Sequence, residues 1–309
     1  MASTITHGSF GKDLLQPVNK WIADELNKRQ TPEWTKVFEV TNPGNRAYVD
    51  EVSVVGMGYA QEKNDLGKVH FDSMRQGFNY RYTMVRYAIG YMISKDAYDD
   101  GNAAMQMIKG TKFTMFSLDK TREVMAANVL NRAFNSSYTM GADGLELCSD
   151  VHILKGTGAT NGNEESTAAD ISEAALEAGR LTITKFKTES GMRCGYKPRM
   201  LVVPSALVPE AYRILNSVKR YDTANNDANW LKDAGIFPEG IAELRELSDE
   251  DAYFIVTDCP DGLKYMEREK VRFSQMDEWE TMVAKFMGTF RGAWGWSNWR
   301  CIWGSPGAA

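Results

Sequence analysis

The sequence predicts a mixed α+β chain, and three observations carry that expectation. From Ser94 to Phe134 helix-forming residues run without a proline, and Ala104, Ile108, Met115, Leu118, Met125 and Val129 fall at three- to four-residue spacing. Ahead of it, residues 46–93 carry β-branched and aromatic residues on either side of a polar, glycine-containing section, Gln61–Lys68, the pattern of a long hairpin. After Asp251 short apolar runs alternate with turn residues, as antiparallel strands do.

The chain opens on a polar arm, Met1–Gly11, followed by Lys12–Arg29. There Leu14, Leu15, Val18, Trp21, Ile22 and Leu26 lie at helical spacing. Pro17 fits the first turn of such a helix. Pro32 and Pro43 mark Thr31–Gly44 as a connection.

The hairpin then pairs the region of Tyr48–Val55 with a return strand through Phe78, Tyr80, Tyr82, Val85, Tyr87 and Ile89, interleaved with Arg81 and Arg86. Apolar residues on both faces suit packing against another subunit. Val52–Gly58 imitates the strand-then-glycine start of a dinucleotide fold, but Gln61 stands where the third glycine belongs, and the residues that follow are too polar for a packed helix.

The long helix is expected to start at Ser94, which can cap it, with Asp96, Asp99 and Asp100 near the positive end of its dipole. About 39 residues would reach roughly 58 Å, against about 50 Å for a compact globule of this length. Gly101 and Gly110 each oppose it by about 1 kcal/mol relative to alanine.

Beyond the helix, the glycine-rich Lys155–Asn163 lacks the Gly-Lys-Ser/Thr ending of a phosphate loop and reads as a surface loop. Asp170–Phe186 is helical, Met200–Val203 is a buried strand stopped by Pro204, and Val208–Ser217 is a helix with Pro209 in its first turn. Asp222–Leu247 is loop-rich. The final strands run through Ala252–Val256, a turn at Pro260–Gly262, and Thr281–Phe290. Trp279, Trp294, Trp296, Trp299 and Trp303 crowd the end, suiting a packed sheet or an interface.

Composition bounds the function. With 43% hydrophobic residues, the 309-residue chain can build a substantial core, and a net charge of −5 argues against a dedicated nucleic-acid binder. Cys148, Cys194, Cys259 and Cys301 stand at neither metal nor redox spacing and read as reduced cytosolic thiols. No run is apolar for long enough to cross a bilayer, so no membrane partner is expected. His7, His70 and His152 have no ligand spacing and no serine elbow nearby; His152, beside Asp143 and Asp150, reads as a structural loop histidine. No catalytic, cofactor-binding or metal residue is assigned, and no cofactor is expected.

This order of elements, together with Asp143-Gly144-Leu145, Ser149 and His152 after the long helix, Met200–Pro204 leading into Ala211–Leu215, and Ala252–Ile255, resembles the major capsid (head) proteins of tailed bacteriophages, in particular the Mu-like head-subunit group. The resemblance implies the shell fold named after phage Hong Kong 97, with an N-terminal arm (residues 1–44), an extended hairpin loop (45–93), a peripheral domain with a spine helix (94–140 and 251–309) and an α/β axial domain (141–250). It implies a non-enzymatic subunit that assembles through pentamers and hexamers into an icosahedral virion shell in the cytoplasm of a bacterial host. Its partners would be its own copies, scaffold and portal proteins, cement proteins, and packaged double-stranded DNA held without sequence recognition.

The residues expected at the hairpin interface are Gln61, Lys63, Lys68, Tyr80, Arg81 and Arg86; those expected to pack the spine helix are Ile108, Met115, Leu118 and Met125. Lys63 and Lys68 lie where some relatives form cross-links, but nothing in the sequence supplies an acceptor, so that chemistry is not carried over. An encapsulating shell, a tail tube and a cytosolic α/β enzyme are the alternative readings.

Overall fold

The computed structural model describes residues 32–94, 96, 103–140, 143–219, 228–278 and 283–308. The helix expected within Lys12–Arg29 and Trp279 lie outside the described residues. Two compact units are present. The first holds Val85–Glu123 and Glu267–Gly292; the second holds Glu33–Met84, Val124–Met266 and Ala293–Ala309.

In the first unit, strand β4 (Val85–Ser94) pairs antiparallel with β11 (Val283–Trp296), Tyr87 facing Phe290 and Tyr91 facing Phe286. Both aromatic pairs stack, at 4.9 and 5.0 Å between ring centroids. Helix α2 (Ala103–Asn131) covers this face. Its buried side chains here are Met107, Thr111, Thr114, Met115 and Leu118, while Ile108 is half-buried.

Glycines set the close approach. A Cβ on Gly110 would lie 2.7 Å from the Tyr91 ring, and one on Gly288 would lie 2.7 Å from Leu118 Cδ1. The helix penalty of Gly110 is thus offset by packing, and the Tyr91 hydroxyl donates to the Met107 carbonyl at 3.0 Å.

Ser94 ends β4 and does not cap a helix at that position; α2 has 29 residues, about 44 Å long. The β-branched and aromatic run up to Ile93 accounts for the difference, because pairing with β11 holds the chain extended through Ser94.

The second unit is built on a four-stranded sheet in the order β12 (Ile302–Ser305), β9 (Tyr253–Thr257), β7 (Pro198–Val203), β8 (Ile241–Glu243). Only β7 and β8 are parallel neighbours. Side chains alternate between two cores. Leu201, Val203, Tyr253, Ile255 and Trp303 face one, which includes residues of α3 (Glu173–Thr184) and α4 (Val208–Asn216); Met200, Val202, Phe254, Val256 and Ile302 face the other. Burial on both faces explains why β7 and β9 read as continuous apolar runs. Ser172 caps α3 by accepting from Ala175 N–H, and Pro209 lies in the first turn of α4.

Strands β9 and β12, which the sequence reading places in a peripheral portion beginning at residue 251, pair in the same sheet as β7. The supposed connection before Gly44 also contains structure. A helical turn, α1 (Trp34–Val37), buries Trp34, and β1 (Glu39–Thr41) runs parallel to the start of β10 (Leu263–Glu278). Trp34 meets Tyr265 edge-on, and Tyr265 stacks on Trp294 at 4.2 Å. Trp296, Trp299 and Trp303 are likewise buried. The Lys155–Asn163 region is closed by a small ladder of β5 (His152–Ile153) with β6 (Thr160–Asn161), and α5 (Trp230–Asp233) and β8 interrupt the stretch expected to be all loop.

Candidate assembly surface at the hairpin

Strand β2 (Tyr48–Val55) pairs antiparallel with β3 (Arg75–Thr83), from Tyr48 opposite Thr83 to Val55 opposite Arg75, with a register shift between Val52 and Val54. A two-stranded ribbon is marginally stable alone, so something must hold its root. Within the second unit that root is braced by buried polar groups. Lys264 Nζ lies 2.9 Å from both oxygens of Glu51 and 2.8 Å from Asp261 Oδ1. Glu51 also accepts from the Ser297 hydroxyl, which lies 2.6 Å from that of Tyr82. Arg300 donates to Glu189 at 2.8 Å, Glu189 accepts from Lys155 N–H at 2.7 Å, and Lys155 Nζ donates to the Gly77 carbonyl at 2.7 Å. These groups line a half-open cavity of about 500 Å³.

The electrostatics follow from burial. Dehydration alone would lower the Lys264 pKa, but hydrogen bonds from Asp261 and Glu51 outweigh it and raise it. Burial raises the phenols of Tyr80, Tyr82 and Tyr253 well above the ordinary tyrosine range. Each of these groups has a folded pKa above its unfolded value. Its contribution is fully present below the unfolded pKa, about 10, and is lost as pH rises toward the folded one. The melting temperature should therefore hold steady to about pH 10 and fall beyond it, with a shallower fall in Tyr82→Phe, which thermal melts across that range will measure. An equal alkaline slope in the variant would remove Tyr82 from the account.

Between the strands, residues 56–74 form an irregular loop. The Asp72 carboxylate accepts from Gly58 N–H at 2.8 Å, closing its base, and this hydrogen bond lowers the Asp72 pKa. The loop leaves Met57, Tyr59, Leu66, Val69, Phe71 and Met74 exposed; Leu66 is 102% accessible and Phe71 88%. So many large apolar side chains on one segment mark an interaction surface.

Gln61, Lys63 and Lys68 are exposed on this loop. Arg81 is exposed and clamps Asp50 through two bonds of 2.7 and 2.8 Å, with its guanidinium over the Tyr48 ring. Tyr80 is corrected: it is 4% exposed and belongs to the subunit's own core, so it presents no face to a neighbour. Arg86 is also corrected. The hairpin ends at Thr83, Met84 is buried, and Arg86 lies on β4, bonded to Glu269 at 2.7 Å. On α2, Met115 and Leu118 are buried, whereas Ile108 and Met125 are half-buried.

The exposed apolar residues and the Glu51–Lys264–Ser297 brace were not singled out from sequence. Leu66, Val69 and Phe71 each stand isolated in polar surroundings, and the brace joins positions more than 200 residues apart.

Other candidate chemistry resolves into structure. His152 is buried against Trp299, stacked at 4.5 Å; Nε2 donates to the Leu147 carbonyl at 3.3 Å, and Nδ1 lies 3.1 Å from Asp143 Oδ2. Burial raises the thiol pKa values of Cys148 and Cys301, and pushes Cys259 up to about 11, which makes them poor nucleophiles. Among the described residues no group of three or more acidic, histidine or cysteine side chains could hold a metal, and no helix is long and apolar enough to cross a membrane.

A family model described as phage capsid protein matches residues 79–304. The chain belongs to this family. It is therefore a structural protein, a subunit of a phage capsid shell. Solved structures agree in fold. The capsid of an empty GTA particle shares 16% identity over 91% of each chain with a TM-score of 0.55. The capsid of Myoviridae phage XM1 shares 10% identity over 91% of this chain and 97% of that one, with a TM-score of 0.52. A virus-like particle from Pyrococcus furiosus shares 12% identity, covering 94% and 98%, with a TM-score of 0.51. No curated protein matches the chain.

Proposed function

We propose that this capsid protein is the major head subunit of a tailed phage of the Mu-like group, with the Hong Kong 97 fold, assembling through pentamers and hexamers into an icosahedral shell around double-stranded DNA. The observation that carries the reading is the hairpin: its root is fixed by buried ionic and hydroxyl contacts while its loop exposes a row of large apolar side chains. A rigid root with an unburied apolar end is what a heterologous contact repeated by rotation requires, since each subunit then donates one loop and receives another. Multiple such contacts per subunit make weak individual surfaces sufficient. Gln61, Lys63 and Lys68 belong to the donated face in this reading, and Arg81 stiffens the ribbon beneath it.

The net charge of −5 fits a shell that encloses DNA without gripping it, because a strongly basic lining would hold phosphates by counterion release. Residues 141–250 surround the local symmetry axis, and the unit containing α2 and β11 lies at the capsomer periphery. Scaffold, portal and cement proteins complete assembly in the host cytoplasm.

Electron microscopy of the concentrated protein, with and without a scaffold supplied, tests the reading. Rings of five or six subunits or closed shells are expected. Sedimentation that shows only monomer across salt and concentration, scaffold included, would refute it, and open tubes would transfer the chain to a different structural role.

A further inference from the structure

Helix α2 carries a second unburied surface, separate from the hairpin. Opposite the face that packs on β4 and β11, Phe113 is 72% exposed and Phe116 62%. Three residues apart on a helix, they form one continuous aromatic ridge. Lys109 and Lys112 are exposed on the same side, so the ridge has a positive flank toward the helix N-terminus. Two solvated phenylalanines are unfavourable unless a partner covers them.

The chain itself supplies a matching surface. Thirty-one residues precede the first described one, Pro32. Within them Val18, Trp21, Ile22 and Leu26 repeat at the spacing of a single apolar stripe, with Asp24 and Glu25 near its C-terminal end. An amphipathic helix of this kind needs an apolar partner to be stable, since so short a helix is marginal in water. The lengths agree. Residues 17–29 would make a helix of about 20 Å, and the exposed side of α2 from Gln106 to Lys120 extends about 22 Å.

We infer that the arm segment Lys12–Arg29 docks on the Phe113–Phe116 ridge of α2. The charges choose the direction: an antiparallel alignment sets Asp24 and Glu25 beside Lys109 and Lys112, and lays Trp21 and Val18 against Phe113 and Phe116. The contact goes beyond the hairpin reading and does not depend on it, because it uses neither the loop nor a particular shell geometry.

The test uses the full-length chain carrying a photo-activated cross-linking residue at position 116. Mass spectrometry should find the conjugate within residues 12–29, and the paired substitution Trp21→Ser with Leu26→Ser should reduce that yield at least tenfold. A cross-linker at position 109 should shift capture toward residues 24–29. In the reverse direction, Phe113→Ser with Phe116→Ser, both at exposed positions that α2 does not need for its core, should raise amide exchange in residues 17–29 about tenfold while leaving β4 and β11 protected. Capture of loop residues 59–71 from a second copy would overturn the proposal. So would no capture at all, or arm exchange unchanged by loss of both phenylalanines.

Discussion

Met115→Asp should abolish cooperative melting of the unit built from α2, β4 and β11. Met115 is 1% exposed, on the helix face that also buries Leu118 and Thr114. The substitution removes about 1.5–3 kcal/mol of side-chain burial and leaves a carboxylate where no partner is placed to receive it. An uncompensated buried charge costs several kcal/mol more, or forces the carboxyl to protonate at a similar cost. Total stability is about 5–15 kcal/mol, so the sum consumes most of it. Met115→Leu, a volume-conserving change, should cost under about 1.5 kcal/mol and melt nearly as the parent does. Circular dichroism melts of the two variants provide the comparison. A soluble aspartate variant with a parental transition would show that this face of α2 is not packed in solution.

Excising Tyr59–Phe71 and joining Gly58 to Asp72 through a two-residue turn should leave a folded subunit that assembles no shells. Closure is geometrically easy, because Gly58 N–H already donates to the Asp72 carboxylate at 2.8 Å. The deletion removes Tyr59, Leu66, Val69 and Phe71, all exposed, together with Gln61, Lys63 and Lys68. It leaves the Glu51–Lys264 brace, Tyr80 and Tyr82 in place. Stability should thus change by less than about 1 kcal/mol, since surface substitutions away from packed features have small effects. Assembly should be lost altogether, because every copy loses the same contact. Thermal melting and electron microscopy of one sample separate the two outcomes. Complete shells from the shortened chain would make the loop dispensable, and loss of folding would make it part of the subunit's own core.

Local patterns made much of this fold legible. Met200–Val203 and Ala252–Val256 read as buried strands because both faces of a central sheet must be apolar. Val208–Asn216 and Glu173–Thr184 announced their first turns through Pro209 and Ser172. The overestimated helix start shows the limit. Ser94 followed by aspartates is a sound capping sequence, yet the ladder of β4 with β11 extends through that serine, and pairing between residues some 190 apart outweighs a local cap. The hairpin failed in the same way. Phe78 to Ile89 reads as one aromatic strand, but the chain passes from β3 to β4 at Met84, and nothing in the alternation marks the change of partner.

What the sequence determined by itself was the order of elements and their types, with an acidic chain whose histidines and cysteines are too dispersed for a site. Those properties follow from spacing and composition, which act between neighbours. The tertiary structure decided which aromatic residues are core and which are surface. Tyr80 and Phe71 look equivalent in sequence, but one is buried in the subunit's core and the other is almost fully exposed. It also decided that Lys264 meets Glu51 and that Gly110 admits the Tyr91 ring. Burial and ion pairing are set by contacts distant in sequence, and so a residue's own neighbours in the chain carry little information about them.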